Sequence, residues 1–298
     1  MEVRWERMFV DELENRFREV PLAYFPYGVC EPHGPQCTVG TDGLRAHGLL
    51  CRTAQAHGGI VAPVDYWHMG ESGGEAAWAY ETVGEVERTW FTAIPPWLFY
   101  KNMLYHIRLA DSLGFHAAIF LTGHEGPLMD DMKRLVGMMQ PHVGTRLLAL
   151  GISDVNTYKF DGEGDSGHAD KIETSELMAL NPECVDLTRI DTIQVPGNGF
   201  AMGPEARLSN RRVGERMIAS EMDGLGRRGR ELLQQYQTLK PEHKLKSFGQ
   251  VEEIWDREVK PALSDFEMMQ DLFRGFDQAP VPEHSRWYGN WRLPISWS

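Results

Sequence analysis

A chain of 298 residues that is 42% hydrophobic, 10% aromatic and 24% charged can bury a core of its own and is too apolar for a disordered protein. Thirty Lys and Arg against 43 Asp and Glu leave a formal charge of −13, which argues against a phosphate backbone as partner. The charged N-terminus MEVRWERMFVDELE has no apolar export segment and no stretch has the length of a membrane span, so a cytoplasmic chain without nucleic-acid or membrane partners is expected. Four cysteines (Cys30, Cys37, Cys51 and Cys184) form no CxxC pair and read as reduced thiols.

In chain order, VPLAYFPYG (20–28) reads as a strand, 42–57 as a helix closed by Gly58 and Gly59, and 60–67 as a second strand. An irregular, Gly-rich and aromatic stretch follows. Apolar residues at helical spacing then mark 99–115, with Gly114 near its end, and HAAIFLTG (116–123) reads as a buried strand. A helix over 127–141 begins at Pro127, and 145–152 is a further strand. Repeated strand–helix units with near-continuous apolar strands predict an α/β fold, a three-layer α/β/α sandwich around a mainly parallel sheet. Ligands in such folds sit beyond the carboxyl ends of the strands.

Residues 153–172 are polar and rich in Gly and Asp, which predicts a loop leading into a helix at ETSELMAL. Residues 204–237 read as helical, and one helix-like stretch covers about 250–274. Four of the nine tryptophans (Trp255, Trp287, Trp291 and Trp297) lie in the tail, which is therefore expected to dock on the body or on a neighbouring subunit. The division expected is a hydrolase domain over 1–240 and a helical, Trp-rich extension over 241–298.

Chemistry concentrates at three places. After the first strand come Glu31, His33 and, at the next helix start, Asp42, a carboxylate–imidazole–carboxylate set suited to zinc, manganese or iron. Capping of the helix by Thr41 or Asp42 would explain neither Glu31 nor His33. After the strand 116–123, Gly123-His124 brings a second imidazole to the same sheet edge. His168 and Glu173 follow the polar loop; Glu173 alone would also suit the positive end of a helix. Trp67, Trp78 and Trp90 are candidates for a wall against a planar substrate. No dinucleotide-binding glycine fingerprint, phosphate-binding loop or serine nucleophile elbow occurs in the sequence.

Glu31-x-His33-Gly34-Pro35 with Thr41-Asp42, then Gly123-His124, then Gly167-His168 with Glu173-Thr174-Ser175 resembles the creatininase (creatinine amidohydrolase) family over roughly residues 5–240. The resemblance implies divalent metal ions, two per chain, with Asp42 bridging them, Glu31 and His124 completing one position and His33 on the other. Creatininases place a further carboxylate two residues after the Gly-His histidine, where this chain has Gly126. Either Glu173 supplies the missing ligand, the favoured reading, or the second position is weak and one ion suffices. The chain also reads Trp67-His68-Met69-Gly70-Glu71-Ser72-Gly73-Gly74 where the family has Gly-x-Ser-x-x-His, so a pocket diverged from creatinine is expected.

The resemblance implies a small-molecule substrate and a homo-oligomer, often a hexamer. The expected activity is hydrolysis of a non-peptide C–N bond in a cyclic or small amide by hydroxide formed on the metal. His168 is the expected proton shuttle, and Glu173 orients it or holds metal. Hydrolysis of a lactone or sugar ring by the same site, or non-catalytic binding of a metal or small ligand, are the alternatives.

Overall fold

In the computed structural model, residues 1–70, 74–157, 167–194, 199–270 and 281–291 are described. Helix α1 (Val10–Glu19) leads into β1 (Leu22–Tyr27), then α2 (Thr41–His57), β2 (Ile60–Val61), α3 (Gly74–Thr82), α4 (Pro96–Leu113), β3 (Ala117–Thr122), α5 (Leu128–Met139) and β4 (Arg146–Gly151). Helices α6 (Lys171–Leu180), α7 (Arg189–Thr192), α8 (Arg211–Leu239) and α9 (Phe248–Ile254) follow, and a last helix spans Arg286–Trp291.

All six residues of both β1 and β3 are buried, as strands covered on two faces require. Their alternation divides the core. Ala23, Phe25 and Tyr27 of β1 and Ala118 and Phe120 of β3 meet Phe99, Met103 and Ile107 of α4 and Met132 and Leu135 of α5. On the opposite face, Leu22, Tyr24, Ile119 and Leu121 meet Leu49 and Leu50 of α2 and Ile218 and Leu225 of α8. The three-layer α/β/α sandwich is therefore real, and each layer follows from the period-two pattern of the strands.

The four strands run parallel in the order β2-β1-β3-β4. The chain leaves β1 for β2 on one side and returns to place β3 on the other, so the order reverses between β1 and β3. That reversal leaves a crevice outside the carboxyl ends of Tyr27 and Thr122, the place where such sheets bind ligands.

Several sequence expectations need correction. The second strand ends at Val61, not 67, because Pro63 has no N–H for the ladder; the chain still runs alongside β1 through Asp65 N–H to Pro26 O at 3.0 Å. Helix α3 falls in the stretch expected to be irregular: its sequence GEAAWAYET has no polar face to mark a helical period. Helix α6 begins at Lys171, two residues earlier than expected, because Asp170 Oδ1 accepts the N–H groups of Ile172 and Glu173. The stretch 250–274 is not one helix: α9 gives way to a π-helical turn over Trp255–Val259 and a 3-10 turn over Lys260–Asp265 containing Pro261. Residues 271–274 lie outside the described residues.

Two buried aspartates of the body receive the chain beyond α8. Asp111 in α4 accepts the N–H groups of Lys244 and Leu245 at 2.9 and 2.8 Å. Asp131 in α5 accepts those of Glu267 and Met268 at 2.6 and 2.9 Å. Val251, Trp255, Leu263 and Phe266 join the apolar cluster of α4 and α5. Trp287 is also buried, whereas the Trp291 side chain and Trp297 lie outside the described residues. No described helix is long and apolar enough to cross a membrane.

Candidate metal centre

The crevice collects side chains from four chain regions. Glu31 and His33 sit on the loop after β1, which is folded back by Glu31 N–H donating to Val39 O at 2.9 Å. Asp42 lies in the first turn of α2, where the helix dipole favours a carboxylate. His124 follows β3 directly, and its turn is packed against Asp42: a Cβ built on Gly123 would lie 2.2 Å from the Asp42 carbonyl oxygen. Only glycine permits that approach. His168 and Glu173 arrive from the Asp170-capped start of α6.

These six residues lie close together. His33 Nε2 lies 3.1 Å from Asp42 Oδ1, 3.6 Å from Glu173 Oε2 and 4.0 Å from Glu31 Oε1. His124 Nδ1 lies 3.2 Å from Glu31 Oε1 and 3.4 Å from Asp42 Oδ2. Glu31, Asp42 and His124 form one set of possible metal ligands, and His33, Asp42 and Glu173 a second, each with its ligand atoms within 4.8 Å of one another. Asp42 belongs to both. A third set, Glu31, His33 and His168, overlaps them, with His168 Nδ1 3.6 Å from Glu31 Oε1.

Backbone carbonyls fix how two of the imidazoles present themselves. His33 Nδ1–H donates to Glu31 O at 3.1 Å, turning Nε2 toward the carboxylates. His168 Nε2–H donates to Pro32 O at 2.7 Å, turning Nδ1 inward. Both Glu31 oxygens, His33 Nε2 and Asp42 Oδ2 are buried without a hydrogen-bond partner. Buried polar atoms without partners are costly, and here they converge in the donor set that a divalent cation satisfies. The residues therefore fit the metal that the donor chemistry implies.

Charge within the cluster is tightly balanced. Burial opposes protonation of His33, but Asp42, Glu173 and Glu31 carry its pKa up to about 9. His124 is likewise held well above the usual imidazole range by Glu31 and Asp42, against the desolvation penalty. Burial acts to raise the Asp42 pKa, and the two imidazoles overcome it and hold the carboxyl well below its ordinary range.

The family model for creatininase (creatinine amidohydrolase) matches residues 6–226. The chain belongs to the creatininase family. This is a family of metal-dependent amidohydrolases, and the match ends before α8 does. A creatinine amidohydrolase (creatininase) crystal structure superimposes with a TM-score of 0.61 at 19% identity, covering 77% of this chain and 98% of its own. A Zn–Zn creatininase variant gives 0.58 at 20% identity, with 78% and 98% covered. A manganese creatininase gives 0.59 at 18%, also with 78% and 98% covered. At these identities the likeness carries the fold. No curated protein matches by sequence.

In this creatininase-family chain the cluster forms one wall of a cavity of about 360 Å³, which Trp78 and Glu75 of α3 also line. Trp78 meets His168 edge-on at 4.8 Å between ring centroids. Trp90 is instead 63% exposed, and Trp67 borders a different cavity. Glu125 borders the same cavity, but its Oε1 is engaged elsewhere, accepting Ser153 N–H at 2.7 Å.

Sequence reasoning overlooked the support of this cluster. Buried Arg45 donates to Glu173 Oε1 at 2.6 Å and to Glu176 Oε2 at 2.8 Å. Its signal was its position three residues after Asp42, hence on the same face of α2. Glu221 of α8 is fully buried; desolvation first, then the adjacent Glu176, push its pKa well above the usual range. His68, passed over in the divergent stretch, is also fully buried. It accepts Met69 N–H at Nδ1, and its Nε2 faces Thr122 Oγ1 at 3.4 Å. Thr122 Oγ1 in turn accepts His124 N–H at 3.1 Å and donates to His124 O at 2.8 Å.

Proposed function

We propose that this protein hydrolyses a non-peptide C–N bond in a cyclic amide or other small amide, with divalent metal as cofactor. One observation carries the reading: two potential ligand sets share Asp42 on the wall of a cavity sized for a small molecule. Glu31, Asp42 and His124 would hold one cation, and His33, Asp42 and Glu173 a second, of zinc, manganese or iron. Such ions, when bound, supply Lewis acidity that ionises water near neutral pH and polarises a carbonyl.

The chain's own residues do the rest. His33 offers Nε2 to the cluster because its Nδ1 proton is committed to the Glu31 carbonyl. His168 keeps its Nε2 proton on Pro32 O, so Nδ1 is the atom that takes a proton from water and passes it to the departing nitrogen. Nitrogen leaves poorly unless protonated as the bond breaks, which gives this histidine its task. Glu173 faces His33 through Oε2, the oxygen that also accepts Ala169 N–H at 2.7 Å, while Arg45 neutralises Oε1. Glu173 is thereby available as the carboxylate that Gly126 cannot provide. Trp78 and Glu75 are the substrate-side wall.

Metal analysis with a hydrolysis panel tests the proposal. About two ions per chain and turnover of a cyclic or small amide are expected, with both lost in Asp42→Ala. Retention of metal and turnover by Asp42→Ala overturns the assignment. One tightly held ion with no turnover on amides or lactones would instead favour a non-catalytic binding protein, and turnover of lactones alone would move the substrate class.

A further inference from the structure

The wall opposite the metal cluster is held by a part of the chain that the family model does not reach. Trp287, 61 residues beyond its last matched position, is fully buried and is the largest fully buried side chain among the described residues. It packs with Ala76 and Ala79 of α3 and with Val83 just past its end, in a small apolar cluster separate from the two main cores. Its Nε1–H donates to Gly84 O at 3.0 Å, just past the end of α3, and its ring meets Phe91 edge-on at 5.7 Å.

The same cluster reaches the site from two directions. Trp78, on α3, packs against it and also touches His168 at 4.8 Å. Ala201 is a member and Phe200 packs against it, in a segment whose backbone grips the loops of His33 and His168. Gly34 N–H, next to His33, donates to Phe200 O at 2.7 Å, and Gly203 N–H donates to Ala169 O, next to His168, at 3.1 Å. Phe200 and Ala201 hold positive φ angles of 55° and 60°, a conformation that costs free energy for non-glycine residues and that the packing must maintain. One tryptophan from the C-terminal helix thus fills the centre of a miniature core whose members border the site on both sides.

We propose that Trp287 is a positioning residue for the active site: it fixes α3 so that Trp78 stands against His168, and the C-terminal helix thereby sets the shape of the substrate-side wall. A deep aromatic side chain suits this task, since it fills the volume with few rotatable bonds and anchors by a single directional N–H. The consequence for catalysis rests on the proposed role of His168; the structural coupling does not.

The test uses full-length protein with 13C-labelled histidine, with the His168 ring resonance assigned through His168→Gln. Trp78→Ala removes the neighbouring ring current and sets the reference displacement. Trp287→Ala is expected to move the His168 resonance in the same direction, with zinc stoichiometry as in the parent protein. Trp287→Phe, which keeps the ring and lacks the N–H, is expected to move it less. On whichever amide is hydrolysed, kcat/KM should fall by about tenfold in Trp287→Ala, mainly through KM, with recovery in Trp287→Phe. A folded Trp287→Ala protein with His168 at its parent position overturns the proposal. Should that variant not fold, Trp287→Leu, which keeps apolar volume but neither the aromatic ring nor the N–H, takes its place, and an unmoved His168 resonance in folded Trp287→Leu does the same. The resonance needs neither metal nor turnover, so an inactive protein would count against the hydrolase reading and leave this coupling to be judged by itself.

Discussion

Arg45 Nη1 donates to Glu173 Oε1 across 2.6 Å, with the Arg45 side chain 1% exposed and that of Glu173 8% exposed. Burying a guanidinium is worthwhile only where its charge is met, and Glu173 and Glu176 meet it. Glu173 is thus held on one oxygen by the fold and presents the other to His33. Arg45→Met should cost about 3–5 kcal/mol of stability, because it strands two buried carboxylates. Arg45→Lys keeps the charge without the fork that spans both partners and should recover only part of the loss. Urea denaturation of the metal-free proteins measures both, and equal stability for Arg45→Met and the parent would refute the account.

The imidazoles make the cluster's response to pH change sign with metal. In metal-free protein the His33 pKa rises from 6.5 to about 9, so its protonated form is favoured by folding. That contribution is fully present below pH 6.5 and is lost as pH rises through about 9. A cation needs the neutral ring, so binding must expel the proton and apparent affinity should rise with pH until about 9. Zinc competition titrations across this range should show proton release that falls as the His33 share is lost on passing about pH 9. Affinity independent of pH would mean that His33 is not a ligand. Replacing His33 by Gln should remove both the alkaline loss of metal-free stability and its share of the proton release.

Much of this arrangement was legible in the sequence, for identifiable reasons. The strands around 22–27 and 117–122 announced themselves because burial on both faces demands unbroken apolar runs. Glu31, His33, Asp42 and His124 stood out because capping and solvation do not explain imidazoles and carboxylates clustered at strand ends. The residues that escaped act through contacts distant along the chain. Arg45 looks like one more helix cation until α6 brings Glu173 and Glu176 to it. His68 reads as part of a diverged motif until Thr122 lies beside it. Trp287 marked the tail as something that docks, yet the Ala-rich α3 beneath it had no amphipathic period by which to be recognised.

Gly123 sets the distance between the two ends of the cluster. A Cβ there would sit 2.2 Å from Asp42 O and 2.8 Å from Asp42 C, both backbone atoms that cannot rotate away. Gly123→Ala should therefore push the His124 turn from the start of α2, costing about 1–3 kcal/mol of stability. It should weaken cation binding at Glu31, Asp42 and His124 more than fold stability alone explains. Calorimetric zinc titration at a temperature where the variant remains folded checks this; parent-like affinity would show that the contact is slack. Gly137, where an added Cβ meets nothing within 4 Å, is the control and should tolerate Ala without loss.

Asp111 provides the complementary case, a buried charge serving the fold alone. Its Oδ1 accepts the N–H groups of Gly144 and Thr145 at 2.8 and 2.9 Å, and its Oδ2 those of Lys244 and Leu245. His243 Nδ1 lies 2.9 Å from Oδ1 as well. Burial opposes ionisation, but these donors reverse its effect and hold the Asp111 carboxyl below its ordinary pKa. Its stabilising contribution is therefore present above about pH 3.8 and is lost as pH falls through the lowered native value. Asp111→Asn can accept on only one side-chain oxygen, which strands N–H groups on one of the two segments and should cost about 2–4 kcal/mol. Since none of the proposed metal ligands touches this carboxylate, cation stoichiometry in the folded variant should equal that of the parent. Hydrogen exchange should localise the damage to residues 244–245 or 144–145. Unchanged protection at both places would show that the carboxylate does not tie the chain beyond α8 to the body.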